Sequence, residues 1–345
     1  MTAVNTDSRD KSLFPANDLL PPDRHPVFSD VVMPDHQNPY SGLFHPDRPP
    51  IFGGWVLQTM ISGASSAINV EADAPFLISG IRNISFEAPV LSGDDVSVFQ
   101  TGDIEHEVEA TKNRVAVSAE MWVNRRGLPL KPVPTPTKLK NIQRVSSGKL
   151  TYASVPIDIL KKIAIGEKRM SVRGEFPCLN HAPTLRVSAK PADTGSHGFA
   201  LAGWGLSKCD LAAAEHAALF RADENIVVTG IVPKMDFLGP LLPGNDISIY
   251  TEILKTGTSS VDVDLKVFAH HTHRYKPGSA ASGRNGNGDM QLLATGVFKM
   301  ISFDPESKTP TPLEEQYQSK TGEQLGELRF MPSLYARALA ERTKV

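Results

Sequence analysis

The sequence predicts an α+β protein in which one unit is written twice, each unit a long central helix wrapped by an antiparallel sheet. Three observations carry this. A Gly-Trp step opens an apolar helix in two places, Ile51-Phe-Gly-Gly-Trp-Val-Leu-Gln-Thr-Met-Ile61 and Ala200-Leu-Ala-Gly-Trp-Gly-Leu-Ser-Lys-Cys-Asp210. The segment Phe86-Glu-Ala-Pro-Val-Leu-Ser-Gly93 returns as Phe237-Leu-Gly-Pro-Leu-Leu-Pro-Gly244, with Phe, Pro and Gly at the same spacing. After each helix the pattern changes to strand-like runs of apolar residues with partial alternation.

In chain order, residues 1–26 are polar and proline-punctuated and read as a flexible leader. The first unit spans 27–140. Val27 to Met33 forms a first strand, a loop rich in Pro, His and Asp runs to Pro50, and a helix covers about Gly54 to Ile68. Its run Gly63-Ala-Ser-Ser-Ala67 lets a sheet approach closely. Phe76 to Phe86, Val96 to Glu107 and Val115 to Val123 are strands, and Arg125-Arg-Gly127 is a turn. Residues 141–182 read as a linker, with helical spacing of Ile157, Ile159, Leu160 and Ile163. The second unit spans 183–310: a strand at Thr184 to Val187, a helix over about Gly203 to Arg221, and strands at Ile226 to Met235, Ile247 to Leu254, Val261 to Ala269 and Met290 to Phe303. Residues 311–345 read as a tail, with a short helix between Leu325 and Arg342.

Composition narrows the function. A net charge of -2 supplies no basic field for nucleic acid. Two cysteines, Cys178 and Cys209, make no disulfide framework and suit a reducing, cytoplasmic setting. No apolar signal core opens the chain, and no run is long enough to span a membrane. The histidines of His270-His-Thr-His273 lack matching Cys or carboxylate spacing, so no metal is expected.

Aligning Trp55 with Trp204 sets Ile61 opposite Asp210. A carboxylate between Cys209 and Leu211 is costly to bury and needs a reason, either a structural hydrogen bond or chemistry. Cys209 beside it reads as a small hydrophobe, and Trp55 and Trp204 as core.

Several stretches resemble the hotdog-fold acyl-CoA thioesterases of the YciA and brain acyl-CoA hydrolase type. They are Thr184-Leu-Arg-Val187, Pro191-Ala-Asp-Thr194, Gly203-Trp204, Asp210, Met235-Asp-Phe-Leu-Gly-Pro240, Gly257-Thr-Ser-Ser-Val261 and Phe303-Asp-Pro305. In the first half they are Met33-Pro34, Ile51 to Trp55 and Phe86 to Asp94. The resemblance implies a double hotdog, two halves forming what is a homodimer in single-domain relatives. Family active sites lie between two hotdog units: one gives an Asp on its central helix, the other gives backbone N–H groups at its helix start and a polar side chain from the loop before it. Asp210 takes the Asp position and Ile61 does not; the first half keeps the glycine pair, Gly53-Gly54, where the second has Ala202-Gly203. One working site and one dead site follow. An insertion separates Asn38 from Ile51, so Asn38, His45 and Asp47 are all candidates for the polar partner, while His197 replaces a family Asn in the other half.

The chemistry these residues support is thioester hydrolysis, with Asp210 as base or nucleophile and the helix amino end at Gly54 polarising the carbonyl. The expected partner is an acyl-CoA or acyl-carrier thioester, with coenzyme A as part of the substrate and no separate cofactor; a homo-oligomer remains open. Arg125, Arg126 and Lys255, with Lys112 and Arg114, are the candidate phosphate-binding cations. Two other readings remain. Asp35-His-Gln-Asn-Pro39 and Phe44-His-Pro-Asp47 loosely match a hotdog hydratase or dehydratase signature, although Tyr40 and Ser41 stand where a His is expected. A non-catalytic acyl-thioester binding protein is the other.

Overall fold

The computed structural model describes residues 26–31, 53–68, 76–109, 112–125, 142–156, 158–159, 183–190, 202–222, 225–242, 245–270, 290–304, 307 and 309–330. Strands are β1 Phe28–Val31, β2 Phe76–Phe86, β3 Asp95–Gln100, β4 Glu105–Glu109, β5 Lys112–Asn124, β6 Ile142–Ser154, β7 Leu185–Ser188, β8 Ile226–Phe237, β9 Asp246–Thr256, β10 Ser260–His270, β11 Met290–Asp304 and β12 Thr309–Pro310. The helices are α1, Gly53–Ser66, and α2, Ala202–Ala217, the latter ending in a short 3-10 turn, Ala218–Phe220.

One twelve-stranded sheet has the order β1-β3-β5-β6-β2-β8-β11-β10-β9-β7, with β4 on β5 and β12 on β11. Read outward from the β2–β8 seam, the two halves repeat each other. The Phe86/Phe237 alignment maps Gly80 onto Ile231 and Ser85 onto Asp236. The seam pairs Gly80↔Asp236 and Ser85↔Ile231 therefore exchange, as a local two-fold requires. The seam gives each half a hydrogen-bonded neighbour where it would otherwise end in an open edge. Arg82 crosses it, donating to Asp236 Oδ1 at 2.5 Å and to the Met235 carbonyl at 3.0 Å.

Each helix packs on its own half of the sheet, and the two helices pack on each other. They run antiparallel: Gly203 lies against Gln58 near the start of α2, and Asp210 meets Gly54 at the start of α1. Small residues make the close crossing. A Cβ on Gly203 would stand 2.3 Å from Gln58 Cγ. One continuous apolar core runs through both halves, from Leu57, Met60 and Val98 to Leu206, Ile253 and Phe298.

Three expectations are corrected. The linker expected over 141–182 begins with β6, which pairs with β5 on one side and β2 on the other. Its buried apolar residues, Val145, Leu150 and Tyr152, are interrupted by Ser146-Ser-Gly-Lys149, which hides the alternation in the sequence. Gly148 is required there, since a Cβ would lie 2.5 Å from Ile84 Cγ1. The strand expected over 96–107 is two, broken at Gly102 with φ +80°. The tail expected from 311 packs on the second half through buried Leu313 and Leu325, with a 3-10 segment at Gly322–Arg329. His216 of α2 meets the Leu328 carbonyl there at 3.0 Å, and Arg329 pairs with Glu252. No helix among the described residues is long and apolar enough to cross a membrane.

Candidate active site

Asp210 sits two turns into α2, on the face turned toward α1. The antiparallel crossing delivers its carboxylate to the other half's helix start. Gly54 N–H donates to Asp210 Oδ2 at 2.9 Å, and the Thr229 hydroxyl of β8 donates to Oδ1. Gly53 keeps this approach open: a Cβ there would meet Oδ2 at 3.0 Å and the Thr229 hydroxyl at 3.2 Å. The carboxylate is completely buried. Burial pushes its pKa up from 3.8 to about 6, while the Thr229 and Gly54 hydrogen bonds, which favour the charged form, hold it down. The Gly54 N–H and the positive end of the helix dipole favour an anion here. Burial and the neighbouring Asp210 push the Cys209 thiol up to about 12, far from a thiolate nucleophile at neutral pH.

The opposite end of the helix pair carries different residues. The Phe86/Phe237 offset maps Ile78 of β2 onto Thr229, and both directly precede a bulge in the pairing with β6 or β11. Thus Ile61 and Ile78 stand where Asp210 and Thr229 stand at the first end. A cavity of about 430 Å³ opens there, lined by Ile61, Ile78, Gly203, Gly205 and other residues, and it does not include Asp210, Gly53 or Gly54.

The thioesterase superfamily model matches residues 197–275, which include Asp210 and Thr229. The acyl-CoA thioester hydrolase YciA of Escherichia coli is 32% identical over 124 residues, 36% of this chain and 85% of that protein. The chain belongs to the YciA family of acyl-CoA thioester hydrolases. An uncharacterised acyl-CoA thioester hydrolase of Haemophilus influenzae is 33% identical over 134 residues, 39% of the chain and 79% of that protein. Among solved structures, a hexameric thioesterase from Yersinia pestis is 26% identical, covering 40% of this chain and 99% of its own, with a TM-score of 0.34.

In this YciA-family chain, the structure joins three of the residues expected at the site: Asp210, Gly53 and Gly54. Asn38, His45, Asp47, His197 and Arg126 lie outside the described residues, as does the Asp35–Asp47 stretch behind the hydratase reading. Arg125 is corrected as a phosphate ligand. Its side chain is buried, its Nε lies 3.4 Å from the buried Asp94 carboxylate, and its Nη2 donates to the Pro89 carbonyl at 2.6 Å. A guanidinium so enclosed holds a turn and cannot reach a solvated phosphate. Lys255 is exposed on β9, 3.4 Å from Asp262. Thr229 was missed from sequence. The signal was there in principle, because sliding the second Phe-Pro-Gly segment onto the first sets Thr229 on Ile78.

Proposed function

We propose that this chain hydrolyses acyl-CoA or acyl-carrier thioesters at one site between the halves of a double hotdog, with α1 and α2 as its two central helices. The observation that carries this reading is the 2.9 Å hydrogen bond from Gly54 N–H to Asp210, joining an acid of one half to the helix start of the other. Asp210 acts as general base: it takes a proton from water, whose oxygen adds to the thioester carbon. The carbonyl oxygen gains negative charge beside the α1 amino end, where the positive end of the helix dipole stabilises it. Collapse breaks the C–S bond and releases the acid, and the thiolate recovers the proton. Thr229 fixes the carboxylate and limits its pKa, so at neutral pH most of it is ionised and ready to accept a proton.

The experiment is release of free thiol from acyl-CoA of several chain lengths by wild type and Asp210→Asn. Loss of a base is expected to lower kcat about a hundredfold or more. The wild-type rate should rise with pH through about 6, the value at which Asp210 ionises. Equal thiol release by both proteins would falsify the mechanism.

A second reading, acyl-thioester binding without turnover, draws on the complete burial of Asp210. Acyl-CoA binding with no thiol released at any chain length selects it.

A further inference from the structure

The cavity lies at the end of the helix pair where Ile61 takes the place of the acid. Protein interiors close such spaces, because a void forfeits the contacts of every atom that lines it. Here a cavity of about 430 Å³ persists, within the range of small-ligand pockets. One difference between the halves leaves room in its wall. The alignment of Trp55 with Trp204 sets Gly205 where α1 has Val56, and Val56 is buried at 4% exposure. A Cβ on Gly205 meets nothing within 4 Å.

The walls suit a hydrocarbon. Ile61, Ile78, Phe76, Leu293 and Val267 line the space. Two of the hydroxyls that line it are already engaged: Tyr152 donates to the Ile61 carbonyl at 3.0 Å, and Ser65 donates to the same carbonyl at 2.7 Å. At the rim the character changes. Ser62 is exposed, and Lys208, also lining the cavity, is half-buried with its ammonium 5.7 Å from the Trp204 ring centre. Among the described residues no carboxylate pairs with Lys208. An apolar slot with a cation at its mouth matches a chain ending in an anionic head. Among the described residues that line the space there is no carboxylate or imidazole to activate water.

We propose that the Ile61 end is a second, non-hydrolytic site that holds the alkyl chain of a fatty acyl group, with Lys208 facing its carboxylate or the phosphates of its carrier. The ligand class rests on the thioesterase reading; the site does not require that Asp210 be catalytic.

The test uses the full chain with two probes, dodecanoic acid and the non-hydrolysable dodecyl-CoA thioether, measured by calorimetry. Wild type and Asp210→Asn should bind with equal affinity even though the second loses hydrolysis. Gly205→Leu, which carries a side chain into the space, should bind at least about tenfold more weakly, while Gly205→Ala changes affinity less than about threefold. Binding of the acid alone identifies a fatty-acid site; tighter binding of the thioether identifies the CoA-borne chain. If Gly205→Leu does not fold, a diazirine-bearing dodecanoic acid should label wild type within the segments that line the cavity, 58–68, 76–79, 152–155, 202–209, 235–241, 247–249, 267 and 293–294. Unweakened binding by folded Gly205→Leu, no binding of either probe to wild type, or labelling confined to other segments overturns the proposal. Binding in a protein that never releases thiol would remove the hydrolase reading and leave this one standing.

Discussion

At one end of the helix pair, Asp210 accepts hydrogen bonds from Thr229 and from Gly54 N–H. At the other, Ile61 and Ile78 hold the matching places beside a cavity of about 430 Å³. The backbone frame is nearly the same, as the exchangeable seam pairs Gly80↔Asp236 and Ser85↔Ile231 make plain. Three side-chain differences, Asp210 against Ile61, Thr229 against Ile78 and Val56 against Gly205, separate the polar end from the apolar one. A buried carboxylate is tolerated only where donors from other elements converge on it. Where none converge, a hydrocarbon is the stable choice.

The strongest way to break the comparison is to place the acid at the wrong end. Ile61→Asp should lower unfolding stability by about 4 kcal/mol at pH 7, equivalent to about three units of pKa elevation for a carboxyl buried without partners. Adding Ile78→Thr should recover about 2 kcal/mol through one charge-assisted hydrogen bond. Chemical denaturation of both variants measures this, and an Ile61→Asp single variant as stable as wild type would show that this end accommodates a carboxylate as well, which breaks the comparison.

Next is removal of the acid from its own end. The folded pKa of Asp210 is raised from 3.8 to about 6, so the native state holds this proton more tightly than the unfolded chain does. Its contribution to stability is fully present below about pH 4 and is lost as pH rises through about 6. Asp210→Asn keeps an acceptor for Gly54 N–H and carries no charge. It should therefore exceed wild type in stability above pH 6 by up to about 3 kcal/mol, and the gap should vanish near pH 4. A gap that is constant with pH would mean that Asp210 does not titrate in this range.

The helix crossings differ as well. Gly203→Ala forces a Cβ to 2.3 Å from Gln58 Cγ and 2.6 Å from its Cα, whereas Gly53→Ala meets its nearest atom at 3.0 Å. The first should cost about 2 kcal/mol more than the second, and melting curves rank the two. The smallest effect is a shift in the pH profile. Thr229→Val removes a donor that favours the charged carboxylate, so the midpoint of hydrolysis against pH should rise by about one unit. An unmoved midpoint would detach Thr229 from the reacting group.

Much of this was legible in the residues. The Gly-Trp steps marked both helices to within a few residues, and β2 spans the Phe76 to Phe86 stretch read from its apolar run. The strand β6 was not legible, because Ser146, Ser147 and Gly148 carry no periodic apolar signal. Its counterpart β11 was found, and the duplication itself implied a missing strand after β5. Arg125 looked like a surface cation at a turn. Only the structure shows Asp94 enclosed with it.

The sequence by itself determined that the architecture is repeated and that Asp210 has no acidic twin, since both are read by laying one short segment over another. The tertiary structure decided which groups Asp210 meets and where space remains. Those depend on how two antiparallel helices cross and how β8 registers against β2, and the partners Gly54 and Asp210 are 156 residues apart. Contacts at that separation are fixed by packing and sheet register, which no local pattern records.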